Sequence, residues 1–223
     1  MPDTLPPLPD VPVPTWVASA VRGLVEAAME AAITPSCAAA HDVRHRSIEL
    51  FTLDVAVNAD ETQSPEQTML TAWGALAWLA NHYMGPTDGT SPGMVVYDGE
   101  GNIVNPDDVA RLNPRLAGAI GATRFLTAWR AADQTTYWAI FHSFIPTHED
   151  DQRWVWVLDN LQTIAGDAAA AAMCSGPDAE KIPLQTRAMW QAKRAHMAAA
   201  HTPPPAVQAQ HAIGGGYLHG ACC

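Results

Sequence analysis

Residues 64–80 read SPEQTMLTAWGALAWLA, and the reading of this stretch decides the fold. Ser64, Pro65 and Gln67 combine an N-cap hydroxyl, a proline at the first helical position and a capping-box partner. Beyond them, Met69, Leu70, Trp73, Leu76, Trp78 and Leu79 fall around nearly the whole circumference of a helix, with small Ala and Gly between. A helix that is apolar on every side belongs in the middle of a bundle or beneath an interface. The apolar run 69–80 is far shorter than the roughly 20 residues a bilayer requires, so it predicts a buried helix and no membrane span.

The same start device recurs along the chain. Thr15 precedes WVASAVRGLVEAAMEAAI, in which Val17, Val21, Leu24 and Ala28 share one face and Arg22, Glu26 and Glu30 another. Thr34–Pro35, Asn105–Pro106 and Asn113–Pro114 each set a cap before a proline, Thr147 to Asp150 make a further box, and Gly176–Pro177 opens a last helix. These signals predict a mainly α fold, a helical bundle of about six or seven helices.

Three segments carry strand signals. MVVYDGEGNIVN, residues 94–105, predicts one small β-hairpin. Phe51, Leu53, Val55 and Val57 alternate with Thr52, Asp54 and Ala56, the period of a strand. TTYWAIFHSFI, residues 135–145, is rich in aromatic and β-branched residues, although Tyr137, Trp138, Phe141, Phe144 and Ile145 also fit one helix face. If all three are strands, the alternative fold is α+β with a small antiparallel sheet.

Proline sets the outer boundaries. Six prolines within residues 1–14 make that stretch an extended arm, and residues 202–223 open on three consecutive prolines and contain Gly214–Gly216, a second irregular tail. Between them, 15–201 is expected to be a single mostly helical domain.

Charge excludes more than it suggests. The formal net charge is −11, and no Lys or Arg occurs from Ser47 to Ala110, where ten Asp and Glu do. Such a surface repels nucleic-acid phosphates and anionic lipid heads, so neither nucleic acid nor membrane is an expected partner. Arg187, Lys193 and Arg194 are the one basic concentration, read as a solvated helix face. Four Cys without framework spacing, and no basic-then-apolar leader, point to a reduced cytoplasmic setting. The eight Trp are unusual for this length, and such rings fill cores or anchor interfaces.

The sharpest chemical constellation is Cys37, His41, His45 and Glu49, spaced four apart and therefore a single stripe on a helix. Thiolate, imidazole and carboxylate are all ligands for zinc or another transition metal. No Glu follows His41, so the longer zincin motif is absent, and a packed Cys37 beside a solvated polar face explains the same residues. Cys37 near a helix start with His41 one turn on also has the composition of a nucleophile and its base. DGEGN (98–102) lacks the glycine and glutamate that a calcium loop needs and reads as a turn, while HEDD (148–151) reads as a cap. His211, His219, Cys222 and Cys223 are soft-metal donors in the tail; His142 is expected to be a core histidine, and His82 to sit favourably at a helix end.

The leading functional expectation is a non-enzymatic interaction or assembly protein with a protein partner or self-association, for example a subunit of a larger particle such as a phage structural component. The alternatives are a metal-dependent helical-bundle enzyme using Cys37, His41 and His45, and an acidic regulatory module binding a basic protein.

Overall fold

The computed structural model describes residues 13, 15–33, 37–58, 64–84, 96–97, 103–105, 113–145, 153–175, 188 and 191–192. Among these, six helices carry the fold: α1 (Thr15–Ile33), α2 (Cys37–Asn58), α3 (Pro65–Met84), α4 (Pro114–Arg130), α5 (Gln134–Phe144) and α6 (Arg153–Ser175). Two short extended segments, β1 (Val96–Tyr97) and β2 (Ile103–Val104), pair antiparallel, with Val96 opposite Val104 and Tyr97 opposite Ile103. The protein is mainly helical. No helix among the described residues is long and apolar enough to cross a membrane.

The chain divides into two compact units. One holds α1, α2, α3 and α6 from Leu161 onward; the other holds β1, β2, α4, α5 and α6 up to Asn160.

In the first unit, α3 begins as its sequence dictates. The Gln67 amide donates to Ser64 Oγ at 3.2 Å, and the Ser64 amide donates to Gln67 Oε1 at 3.3 Å. The box closes on both sides, satisfying two amides that a helix start otherwise leaves open. Burial then runs unbroken from Ala72 to Ala77 and resumes at Leu79 and Ala80, so α3 is enclosed on all sides. Helix α1 packs on both α2 and α3. It buries Val17, Val21, Leu24, Val25 and Ala28 and exposes Arg22, Glu26 and Glu30, the division its periodicity predicts. Gly166 of α6 lets that helix close on α1, since a Cβ there would lie 2.5 Å from the Ala28 methyl. Of the tryptophans whose side chains are described, Trp73 alone is fully buried; Trp16, Trp78, Trp129, Trp138, Trp154 and Trp156 are half-buried.

The strand reading of 51–57 is corrected: these residues belong to α2. Ile48, Phe51 and Val55 are buried, whereas Leu50, Leu53 and Val57 are exposed. At about 100° per residue the two triplets lie on opposite faces of the helix. Two opposed apolar faces alternate along the sequence as a strand does, which explains the misreading. Residues 134–144 are likewise helical, so the α+β alternative finds no support among the described residues at either segment.

In the second unit, α4 starts at Asn113, whose Oδ1 accepts from the Arg115 and Leu116 amides, with Pro114 at the first position. It ends in a Schellman turn. The Asp133 amide donates to the Ala128 carbonyl and the Ala132 amide to that of Trp129. Ala132 takes φ 53°, the left-handed conformation usually reserved for glycine at this place. Asp133 then caps α5, its carboxylate accepting from the Thr136 amide and hydroxyl. Phe125, Trp129 and Tyr137 cluster at this corner, with ring centroids 5.2–6.1 Å apart.

The Asp133 cap has a pH signature. The hydrogen bonds from the Thr136 side chain and then its amide hold the carboxyl below the ordinary value. A group depressed in the folded state stabilises above its unfolded pKa and loses that contribution as pH falls through the lower folded one. Asp133→Ala is expected to weaken α5 at neutral pH, with the difference from wild type shrinking in acid. Asp133→Asn keeps most of the cap and flattens that pH dependence. Urea midpoints between pH 2 and 7 measure it; a pH-independent Asp133→Ala deficit would refute the assignment.

Candidate functional sites on helix α2

The predicted stripe lies on α2, with Cys37 as its first residue. The side chain of Cys37 is outside the described residues. His41 and His45 stack, with centroids 5.8 Å apart and planes 26° from parallel. His45 Nδ1 approaches Glu49 Oε1 at 3.4 Å, and both side chains are more than half exposed. Helical spacing thus does bring two imidazoles and a carboxylate onto successive turns. They face open surface, and among the described residues no three His, Cys, Asp or Glu side chains converge at metal-binding range. The Cys–His nucleophile reading depends on the Cys37 side chain and so lies outside the described residues. DGEGN, HEDD and the tail residues His211, His219, Cys222 and Cys223 lie outside them as well.

The expectation of a core His142 is corrected. It is exposed on α5 and stacks on Trp138 at 5.3 Å. The half-helix 134–144 buries only Phe141, so no interior exists on the His142 face. His82 is exposed in the last turn of α3, where an imidazole suits the helix dipole, and stacks on Trp78. Tyr83 beside it is held above the ordinary phenol value by partial burial, against the opposing pull of Arg22. It is neutral at pH 7 and offers no general base.

A second feature of α2, on a different face, was not foreseen. Leu50 and Leu53 are 57% and 60% exposed and Val57 is 73% exposed. The 3–4 spacing of 50, 53 and 57 was visible in the sequence, but it was hidden inside the apparent alternation. Beside this stripe a groove of about 380 Å³ runs between α1 and α2, lined among others by Trp16, Gly23, Ser47, Leu50, Asp54 and Asn58. Nothing lies within 4 Å of where a Gly23 Cβ would stand, so the groove is open there.

The floor beneath is held by a buried amide. Gln162 of α6 is fully buried and its Nε2 donates to the Leu24 carbonyl and to Ser47 Oγ, each at 2.8 Å. Ser47 Oγ in turn donates to the Arg44 carbonyl at 2.7 Å. This chain ties α6, α1 and α2 together. Arranged this way, α2 carries an exposed apolar stripe beside an open groove. The chain matches no protein-family model, no curated protein and no solved structure.

Proposed function

We propose that this protein is a non-enzymatic interaction or assembly protein, and that α2 is its working surface. The observation that carries the reading is the exposed stripe Leu50, Leu53 and Val57 on a helix whose opposite face is already packed. Exposed apolar side chains are ordinary when scattered and informative when they line one face. A subunit of a larger particle, a phage structural component among them, is a setting in which such a face is covered. Light scattering on the purified chain and on its native extract tests this. Masses above the monomer are expected, and a strict monomer in both would refute the proposal.

A second reading is favoured by the stacked pair His41 and His45 with Glu49 one turn on. Here the stripe, completed by Cys37, holds zinc or a related ion. Elemental analysis would then find bound metal that is lost in His41→Ala, and a metal-free protein ends this reading.

Residues 94–105 we read as one small β-hairpin, supported by the register that sets Val96 against Val104 and Tyr97 against Ile103.

A further inference from the structure

We infer that the occupant of the α2 stripe is a second copy of this chain, docked antiparallel along α2 about a two-fold axis at Leu50. This rests on the assembly reading above and names its partner.

The order of residues along the outward face favours this pairing. Reading α2 forward, the residues there are Val43, Arg46, Leu50, Asp54 and Val57, with Leu53 beside them. Steps of three, four, four and three keep all five within a narrow band of the helix surface. The order is a palindrome in shape and an antipalindrome in charge. Leu50 is the centre, Arg46 and Asp54 stand four residues either side, and Val43 and Val57 stand seven either side.

A two-fold axis through Leu50 therefore sets Arg46 against the partner's Asp54, twice, and Val43 against the partner's Val57. Isologous pairing demands this kind of self-complementarity. Parallel docking in register fails the same test, since it sets Arg46 on Arg46 and Asp54 on Asp54. Arg46 and Asp54 are both exposed, as the pairing requires, and Val43 is half-buried at the edge.

Room and polarity agree. The groove of about 380 Å³ has Leu50 and Asp54 on its α2 wall and Gly23 on its α1 wall, so a side chain from the second copy has a place to enter. The chain's net charge of −11 opposes indiscriminate association with its own kind. Two local Arg–Asp pairs offset that repulsion in the antiparallel alignment. The His41, His45 and Glu49 stripe points to a different side of the helix, so self-association leaves it accessible.

Sedimentation velocity on the full chain over a range of concentrations tests the inference. The wild type is expected to dimerise, and circular dichroism of each variant verifies folding, since all the positions changed are exposed. Leu50→Glu should weaken dimerisation by about 30-fold or more, as loss of a central anchor does. Arg46→Glu should weaken it by at least about 10-fold, since it sets a carboxylate against the partner's Asp54 at both ends of the interface. The double variant Arg46→Glu/Asp54→Arg restores opposite charges and should recover most of the wild-type affinity. Failure of the double variant to recover would overturn the antiparallel register. Dimerisation indifferent to Leu50→Glu would overturn the inference and leave assembly through another face standing. A chain that is monomeric at every concentration would overturn self-association, while higher mass in the native extract alone would keep the broader proposal.

Discussion

Trp73→Ala is expected to cost about 3–5 kcal/mol of folding free energy, the largest loss from any single side chain in the first unit. Trp73 is fully buried, and it sits on α3 between Ala72 and Gly74 with Ala75 and Ala77 close by. The packed surroundings of a fully buried ring relax only in part when it is removed. The cavity therefore stays open, and its surface adds to the lost transfer energy of the indole. Domains of ordinary stability hold about 5–15 kcal/mol in total, so this one change takes a large share. Trp78, on the same helix, is the control. It is half-buried and stacked on His82, so Trp78→Ala removes a surface contact and leaves no sealed void. Urea denaturation followed by far-ultraviolet circular dichroism compares the two. Equal losses at 73 and 78 would show that α3 is not the enclosed helix described here.

The contrast also shows where a sequence is legible and where it is not. Ser64 with Gln67 and Asn113 with Pro114 announce their helices because a cap is a local device: donor and acceptor lie within three residues. The all-round apolar character of α3 is equally local, and it predicts central burial correctly. Helix α2 defeats the same method for a physical reason. A helix that presents one apolar face to its neighbours and another to solvent has no single hydrophobic direction, and its alternation at 51–57 imitates a strand. Asp133 went unread as a cap because the β-branched Thr135 and Thr136 behind it suggested extended chain, and because the Schellman turn that delivers it uses Ala132 where glycine is the usual signal. At the candidate site, the stripe His41, His45 and Glu49 was legible, since four-residue spacing alone sets it. The tie that anchors α2 beside the groove runs from Gln162 to Ser47, 115 residues away, and no local pattern encodes that contact.

Gly118→Val is the second large expected effect, a loss of about 3 kcal/mol that reports on the packing of the second unit. A Cβ built on Gly118 would stand 2.6 Å from the Trp156 carbonyl carbon and 3.0 Å from its Cα. Those atoms are backbone, so relief requires moving α6 away from α4 instead of turning a side chain. That movement would also pull the Trp156 ring from under the Arg115 guanidinium, 4.6 Å from its centroid, giving up a cation–π contact. Even Gly118→Ala should destabilise, although alanine is favoured over glycine inside a helix by about 1 kcal/mol. Gly23 supplies the opposite case within the same protein. It lies in α1 with nothing within 4 Å of its Cβ position, so Gly23→Ala meets no obstacle and should raise stability by about 1 kcal/mol. One substitution type thus carries two signs, set only by what stands across from the missing methyl. If Gly118→Ala and Gly23→Ala both raised the melting temperature, the close approach of α4 to Trp156 would be wrong. The expected opposition of signs follows because a helix gains from alanine everywhere except where its glycine is the point of contact.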